Sequence, residues 1–277
     1  PITIWEEYER VTNKGIKIIP HYRKRLFEIS GLENKIYSLG GVSKVGLVLT
    51  NENGYYPLVY KDKYGWNNPD AIYENFDAVM LGDSFVEGYS VSQKSNIPSS
   101  LSKLGINTIN FGLAANSPLH MYAVFREYVE ILRPKKIFWI YTDDDLPELQ
   151  DSINDKYLFK YFNDIFFKQN LINRQIEIDE VMSTFAIDDW NKKKQRRVRK
   201  YLNKTGNRNI YLRTLKLTEL REYLKLYDKT NVIELKKHKS KLHLNKEYKI
   251  NSETFKIYKQ ILRNINLKIK DWNGELI

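Results

Sequence analysis

The sequence predicts an α/β fold, a parallel sheet crossed by helices and interrupted by a helical insertion. Three observations predict it. Short continuous apolar runs, "FDAVML", "NTINFG" and "KKIFWIY", have the length and character of strands covered on both faces. Between the second and third, "SPLHMYAVFREYVEILRP" sets Leu119, Tyr122, Phe125, Val129 and Leu132 near helical spacing. Strand, helix and strand of these lengths make a right-handed βαβ crossover. After residue 146 the alternation stops, and a helix-rich, basic and aromatic stretch takes over.

Composition bounds the rest. The chain has 277 residues, long enough for one large α/β domain with an insertion, and its 42% apolar share fits a packed core. With no cysteine, disulfides, zinc-thiolate sites and thiol chemistry are excluded. No apolar stretch approaches the roughly 18 residues of a membrane span, and no cleavable signal pattern is visible. The start at Pro1 and the end on "NGELI" lead us to expect a fragment, which leaves room for an upstream membrane anchor. The formal charge of +11 is uneven: residues 151–277 carry +13 and residues 1–150 carry −2. The densest basic run, "NKKKQRRVRK" at 191–200, reads first as a solvated helix face and second as a nucleic-acid or anionic-membrane contact.

Taken in order, residues 1–43 are mixed, with a short helix expected around "YRKRLFEIS". "KVGLVLTNENGYYPLVYKD" holds two β-rich runs split by Asn-Glu-Asn-Gly, a hairpin signal. "KYGWNNPD" is a loop, its Asn-Pro forcing extended or turn geometry. "FDAVML" opens the core. In the helix after "NTINFG", Ser117 is the expected N-cap, Pro118 the first helical residue and Pro134 the stop. "LRTLKLTELREYLKLY" is amphipathic. "NSETFKIYKQILRNINLKIKDW" aligns Phe255, Tyr258, Leu262, Ile265 and Ile269 on one stripe, and Asn273-Gly274 turns into "ELI", where a fourth strand should begin. The expected organisation is an N-terminal extension over 1–75, a core of 76–146 plus 250–277, and a basic helical insertion over 147–249.

The chemistry gathers at "GDSFVEG", residues 82–88. Ligands of an open parallel sheet sit outside the carboxyl ends of its strands, which is where Ser84 falls. A serine hydroxyl on a tight turn, with its own N–H beside it, offers a nucleophile and one oxyanion donor. Val86 occupies the place where a Gly-x-Ser-x-Gly elbow requires glycine, and no glycine-rich phosphate loop is present.

Residues 80–145 resemble the SGNH, or GDSL-type, hydrolase family in three successive blocks. "GDSFVEG" matches its nucleophile block, with Ser84 in the serine position. "INFGLAANSP" is similar to its second block, which implies that Gly112 lends a backbone N–H to the oxyanion hole. "FWIYTDDDLPEL" is similar to its strand ending in Gly-Asn-Asp, and "NENGYYPLVYKDKYGWNNPD" resembles the upstream stretch of some bacterial members. The resemblance implies a three-layer, flavodoxin-like sheet and a serine ester hydrolase without cofactor or metal. Its substrate would be a small acyl ester or acylated carbohydrate, in a bacterial envelope or periplasmic setting. Asp83 would support the nucleophile loop and Asn116 would line the cleft.

Two departures qualify that expectation. Asp144 stands in the family's asparagine position, between Asp143 and Asp145, and an ionised carboxylate accepts hydrogen bonds where asparagine would donate one. Losing one oxyanion donor costs about 10²–10³ in rate. A catalytically degenerate binding or acyl-transfer protein is therefore the alternative. The family's Asp-x-x-His is also absent: His21, His120, His238 and His243 are preceded three residues earlier by Ile18, Ser117, Leu235 and Ser240. The catalytic pair is expected beyond Ile277.

Overall fold

The computed structural model describes residues 3–22, 24–29, 35–206 and 250–277. The chain opens with α1 (Ile4–Asn13) and five short strands: β1 (Ile18–Ile19), β2 (Leu26–Glu28), β3 (Lys35–Tyr37), β4 (Gly46–Val48) and β5 (Leu58–Tyr60). The hairpin anticipated around Asn-Glu-Asn-Gly is present, with β4 and β5 antiparallel and Leu47 opposite Val59, while β1 runs parallel along β4. The helix expected around "YRKRLFEIS" is not: Leu26–Glu28 is a strand paired antiparallel with Lys35–Tyr37. Alternation decides it, since Phe27 turns inward to 3% exposure and meets Phe185 edge-on while Glu28 stays exposed.

The core sheet follows. β6 (Ala78–Gly82) leads into α2 (Ser84–Glu87) and α3 (Ile97–Lys103), and β7 (Thr108–Gly112) into α4 (Pro118–Val124). A π-helical turn at Phe125–Val129 joins α4 to α5 (Glu130–Leu132). Then come β8 (Lys136–Trp139), α6 (Asp145–Ser152), α7 (Lys160–Asn163), α8 (Gln175–Gly206), α9 (Ser252–Ile269) and β9 (Glu275–Leu276). Strands β7, β6, β8 and β9 lie side by side in that order, all parallel, so the fold is α/β. Every residue of β6 and β7 is buried, which accounts for the apolar run of β6 and for Ile109 and Phe111 of β7, while the buried Asn110 has its side chain hydrogen-bonded. Ser117 and Pro118 start α4 as anticipated, Arg133 ends α5 in a left-handed conformation, and "ELI" adds the fourth strand beside β8. On α9 the buried stripe is Thr254, Ile257, Ile261, Ile265 and Ile269: Ile265 and Ile269 are as expected, while Phe255, Tyr258 and Leu262 give way to the residues just before them.

Residues 1–189 with 250–277 make one compact unit, and residues 190–249 a second. In the second unit the described residues are the last part of α8, where the basic run is exposed from Asn191 to Arg197. The amphipathic stretch at 212–227, His238 and His243 lie outside the described residues. Among the described residues no helix is long and apolar enough to cross a membrane.

Candidate active site

Two glycines shape the turn that carries Ser84. Gly82 ends β6, Gly112 ends β7, and the two are register partners. A Cβ on Gly112 would lie 2.6 Å from both C and Cβ of Val86, and one on Gly82 would come 3.0 Å from Val86 Cβ. Bare strand ends are what allow α2 to lie directly on the sheet. Ser84, its first residue, is thus held at the carboxyl end of a central strand. Gly88 closes this single turn at φ 75°, where Cβ-bearing residues pay a penalty.

The turn is pinned from both sides. Asp83 caps α2, its Oδ1 accepting from Phe85 N–H at 2.9 Å, while its Oδ2 accepts from Thr142 Oγ1 at 3.2 Å. Asp83 is 8% exposed and holds the Ser84 turn through that cap. From the N-terminal segment, Lys61 Nζ meets Glu87 Oε1 at 3.0 Å, and Asn67 Nδ2 donates to Glu87 O at 2.7 Å. Asn110 Nδ2 donates to Val86 O at 2.7 Å. Asn68 ties this frame to β7, accepting from Asn110 N–H and donating to Asn110 O. The buried Asp62 carboxylate in turn collects Tyr64 N–H, Trp66 N–H, Asn68 Nδ2 and Tyr73 Oη. The loop "KDKYGWNNPD" is therefore the scaffold of the serine turn.

A cavity of about 320 Å³ opens over Ser84. Its wall includes His21, Arg25, Lys61, Leu113, Ala114 and Ala115. Ser84 is partly exposed, and neither its hydroxyl nor its N–H is matched to a partner among the described residues. The same holds for the N–H of Ala115, a residue at φ 62° in the left-handed region. Ala114 N–H, by contrast, donates to Glu87 Oε2 at 2.8 Å.

Gly112 does not have the place expected of it. Its N–H donates to Asn110 Oδ1 at 2.8 Å, and it does not line the cavity. What the position requires is the absence of a side chain, and the unclaimed amide of this loop lies three residues on, at Ala115. Asn116 is fully buried beneath the loop, its Nδ2 reaching Gly82 O at 3.3 Å, so it supports the cleft without lining it. Asp144 is the exposed N-cap residue of α6, makes no capping bond and does not line the cavity. The buried member of the acidic triplet is Asp145, which accepts from Thr142 N–H at 3.1 Å. Burial, with Asp83 and Asp144 nearby, pushes its carboxyl up to about 6 against the Thr142 hydrogen bonds. Glu148 is pushed up to about 7, chiefly by burial and then by Asp83, Asp145 and Asp144.

The two described histidines differ sharply. His120 is engaged on both ring nitrogens, by Ser117 and by Tyr37 Oη at 2.9 Å, and burial holds its pKa well below 6.5. It completes the cap of α4. His21 shares the cavity with Ser84 and packs edge-on against Tyr89, ring centroids 5.7 Å apart. His21 and Arg25 escape a sequence reading because 63 and 59 residues separate them from Ser84, and Ala115 escapes it because nothing in "INFGLAANSP" marks its left-handed backbone. The one available signal was the upstream stretch "NENGYYPLVYKDKYGWNNPD", which contains Lys61, Asn67 and Asn68.

No family model matches the chain, and no curated protein matches it. Among solved structures the chain is similar to one described as "a putative lipolytic protein of G-D-S-L family from Desulfitobacterium hafniense DCB-2", at 20% identity and a TM-score of 0.25, over 42% of this chain and 74% of that one.

Proposed function

We propose that the chain is a serine ester hydrolase with Ser84 as its nucleophile. One observation carries the reading: a serine hydroxyl without a partner among the described residues stands at the carboxyl end of a central parallel strand, in a cavity lined by Ser84 and Ala115, whose main-chain amides are likewise unmatched among the described residues. Ser84 Oγ attacks the acyl carbon of an ester as its proton passes to a base. The Ser84 and Ala115 amides stabilise the resulting oxyanion, a role reassigned here from Gly112. Collapse breaks the ester C–O bond, the base returns the proton to the departing alcohol, and water releases the acid by the reverse path. Among the described residues His21 is the histidine in the cavity and the candidate base. No cofactor or metal enters the scheme.

The finer fold reading belongs to the same proposal. Numbered along the chain, the core strands run 2-1-3-4, an order that supports a flavodoxin-like, three-layer arrangement. Residues 76–146 and 250–277 are its core, 1–75 its extension and 147–249 its insertion. A small acyl ester or acylated carbohydrate is the substrate class.

Hydrolysis of p-nitrophenyl acetate by the chain and by Ser84→Ala tests the nucleophile, and equal turnover would reject it. Asp144 supports a second reading, a degenerate binding or acyl-transfer protein, because a carboxylate stands where a donor is expected. Under that reading Asp144→Asn raises esterase turnover by about 10²-fold, whereas unchanged turnover leaves the exposed Asp144 outside the chemistry.

A further inference from the structure

Arg25 lines the Ser84 cavity from just before β2, and no anionic partner pairs with it among the described residues. Its Nη2 donates to Ala114 O at 3.2 Å, which fixes the guanidinium against the loop that carries Ala115. Its Nη1 is buried and has no hydrogen-bond partner among the described residues, and Arg25 forms no ion pair among them. The carboxyls within electrostatic reach are committed or held back. Glu87 is taken by Lys61 and by Ala114 N–H. Glu148 makes no hydrogen bond to Arg25, and its raised pKa keeps it substantially protonated near neutrality. The neighbouring Tyr22 and Tyr37 carry no charge, since burial pushes both phenols far up. Lys24, also on the cavity wall, is exposed and lies over the Phe27 and Phe185 rings.

A desolvated guanidinium with an idle donor is costly unless something completes it. What completes it best is a planar oxyanion accepting charge-assisted hydrogen bonds. One partly buried cation with a buried idle donor asks for one negative charge, and the rest of the wall is largely apolar, with Ile19, Val42, Leu47 and Met182. We infer that the substrate is an ester bearing a carboxylate, which docks on Arg25 while its acyl carbon meets Ser84. Arg25 is then a specificity-determining residue. The inference rests on the hydrolase reading for the second half of that statement only, because carboxylate binding at Arg25 needs no catalysis.

Two measurements separate the parts. In the first, kcat/KM is compared for mono-p-nitrophenyl succinate and neutral p-nitrophenyl acetate. The chain should favour the anionic ester, and Arg25→Gln should cut the anionic-to-neutral ratio about 10- to 100-fold, the range of a hydrogen bond to a charged group. A ratio unmoved by Arg25→Gln overturns the inference and leaves the hydrolase intact. In the second, succinate is titrated into Ser84→Ala by calorimetry, alongside neutral succinamide. Succinate should bind at least about tenfold more tightly, with the difference shrinking as salt rises. Equal or absent binding of both overturns the inference without relying on an Arg25 variant that folds. Arg25-dependent succinate binding with no hydrolysis of either ester sustains it and rejects the hydrolase instead.

Discussion

Lys61 and Glu87 form an ion pair at 3.0 Å with side chains only 4% and 1% exposed. The pair joins the residue that follows β5 to the last residue of the helical turn carrying Ser84. Glu87 spends its other oxygen on Ala114 N–H, so one carboxylate holds both loops that border the cavity. Buried pairs of this kind contribute little net stability against an apolar substitute, yet breaking one side leaves an uncompensated charge. Lys61→Met should therefore cost about 3–5 kcal/mol, read from urea denaturation midpoints. The double variant Lys61→Met/Glu87→Gln should recover a good part of that loss. A single variant as stable as the parent would show that Glu87 is not held by Lys61.

Gly112 offers a test of the packing account. Because a Cβ there would sit 2.6 Å from the backbone carbon of Val86, Gly112→Ala must push α2 off the strand ends. Overpacking of this type costs about 1–3 kcal/mol, and it should also displace Ser84 and lower esterase turnover. Ala115→Gly makes the opposite change, relieving a left-handed alanine whose conformation costs about 1–2 kcal/mol. The flexibility glycine adds to the unfolded chain offsets part of the gain. Thermal melts should place Gly112→Ala clearly below the parent and Ala115→Gly level with or above it.

These positions also show where the sequence was readable. Strand β6 announces itself because a strand buried on both faces is apolar throughout, β7 and β8 are legible from their shorter apolar stretches, and Ser117-Pro118 announces α4 because capping is local chemistry. The place of Ser84 follows from those two facts. Leu26–Glu28 was misread because three residues among charged neighbours carry too little periodicity to separate strand from helix. Gly112 drew a donor's role from the resemblance alone, whereas its close approach to Val86 exists only after folding. Nothing in an alanine codon position marks Ala115 as left-handed, and the bonds from Lys61 to Glu87 and from Asn68 to Asn110 span 26 and 42 residues.

The carboxyl cluster behind Asp83 predicts an unusual pH dependence. Glu148 rises from an ordinary 4.5 to about 7 through burial and through Asp83, Asp145 and Asp144, with Arg25 opposing. The folded chain then holds this proton more tightly than the unfolded chain does. Its contribution is complete below about 4.5 and is lost as pH climbs to about 7. Asp145 acts in the same direction, from 3.8 to about 6. Since Glu148 is only partly buried, the penalty at pH 8 amounts to about 1–2 kcal/mol after solvent screening. Glu148→Gln should thus melt higher than the parent at pH 8 and together with it at pH 4.5. A gain that is the same at both pH values would mean the carboxyl is not strained by its neighbours.

His21 is the cavity residue whose removal discriminates most. A serine hydroxyl needs a base to attack an ester at useful rates, and positioned bases of this kind contribute about 10²–10⁴-fold. His21 shares the cavity wall with Ser84, whereas His120 is locked between Ser117 and Tyr37 and held neutral by burial. If His21 takes the proton, activity rises with pH as its imidazole loses its own, because only the neutral ring can accept. His21→Gln should then lower kcat by about 10²-fold or more and flatten the rising limb of the pH profile. A purely packing role against Tyr89 would change stability or KM and leave that limb in place. Should kcat and pH profile both survive the substitution, His21 is not the base.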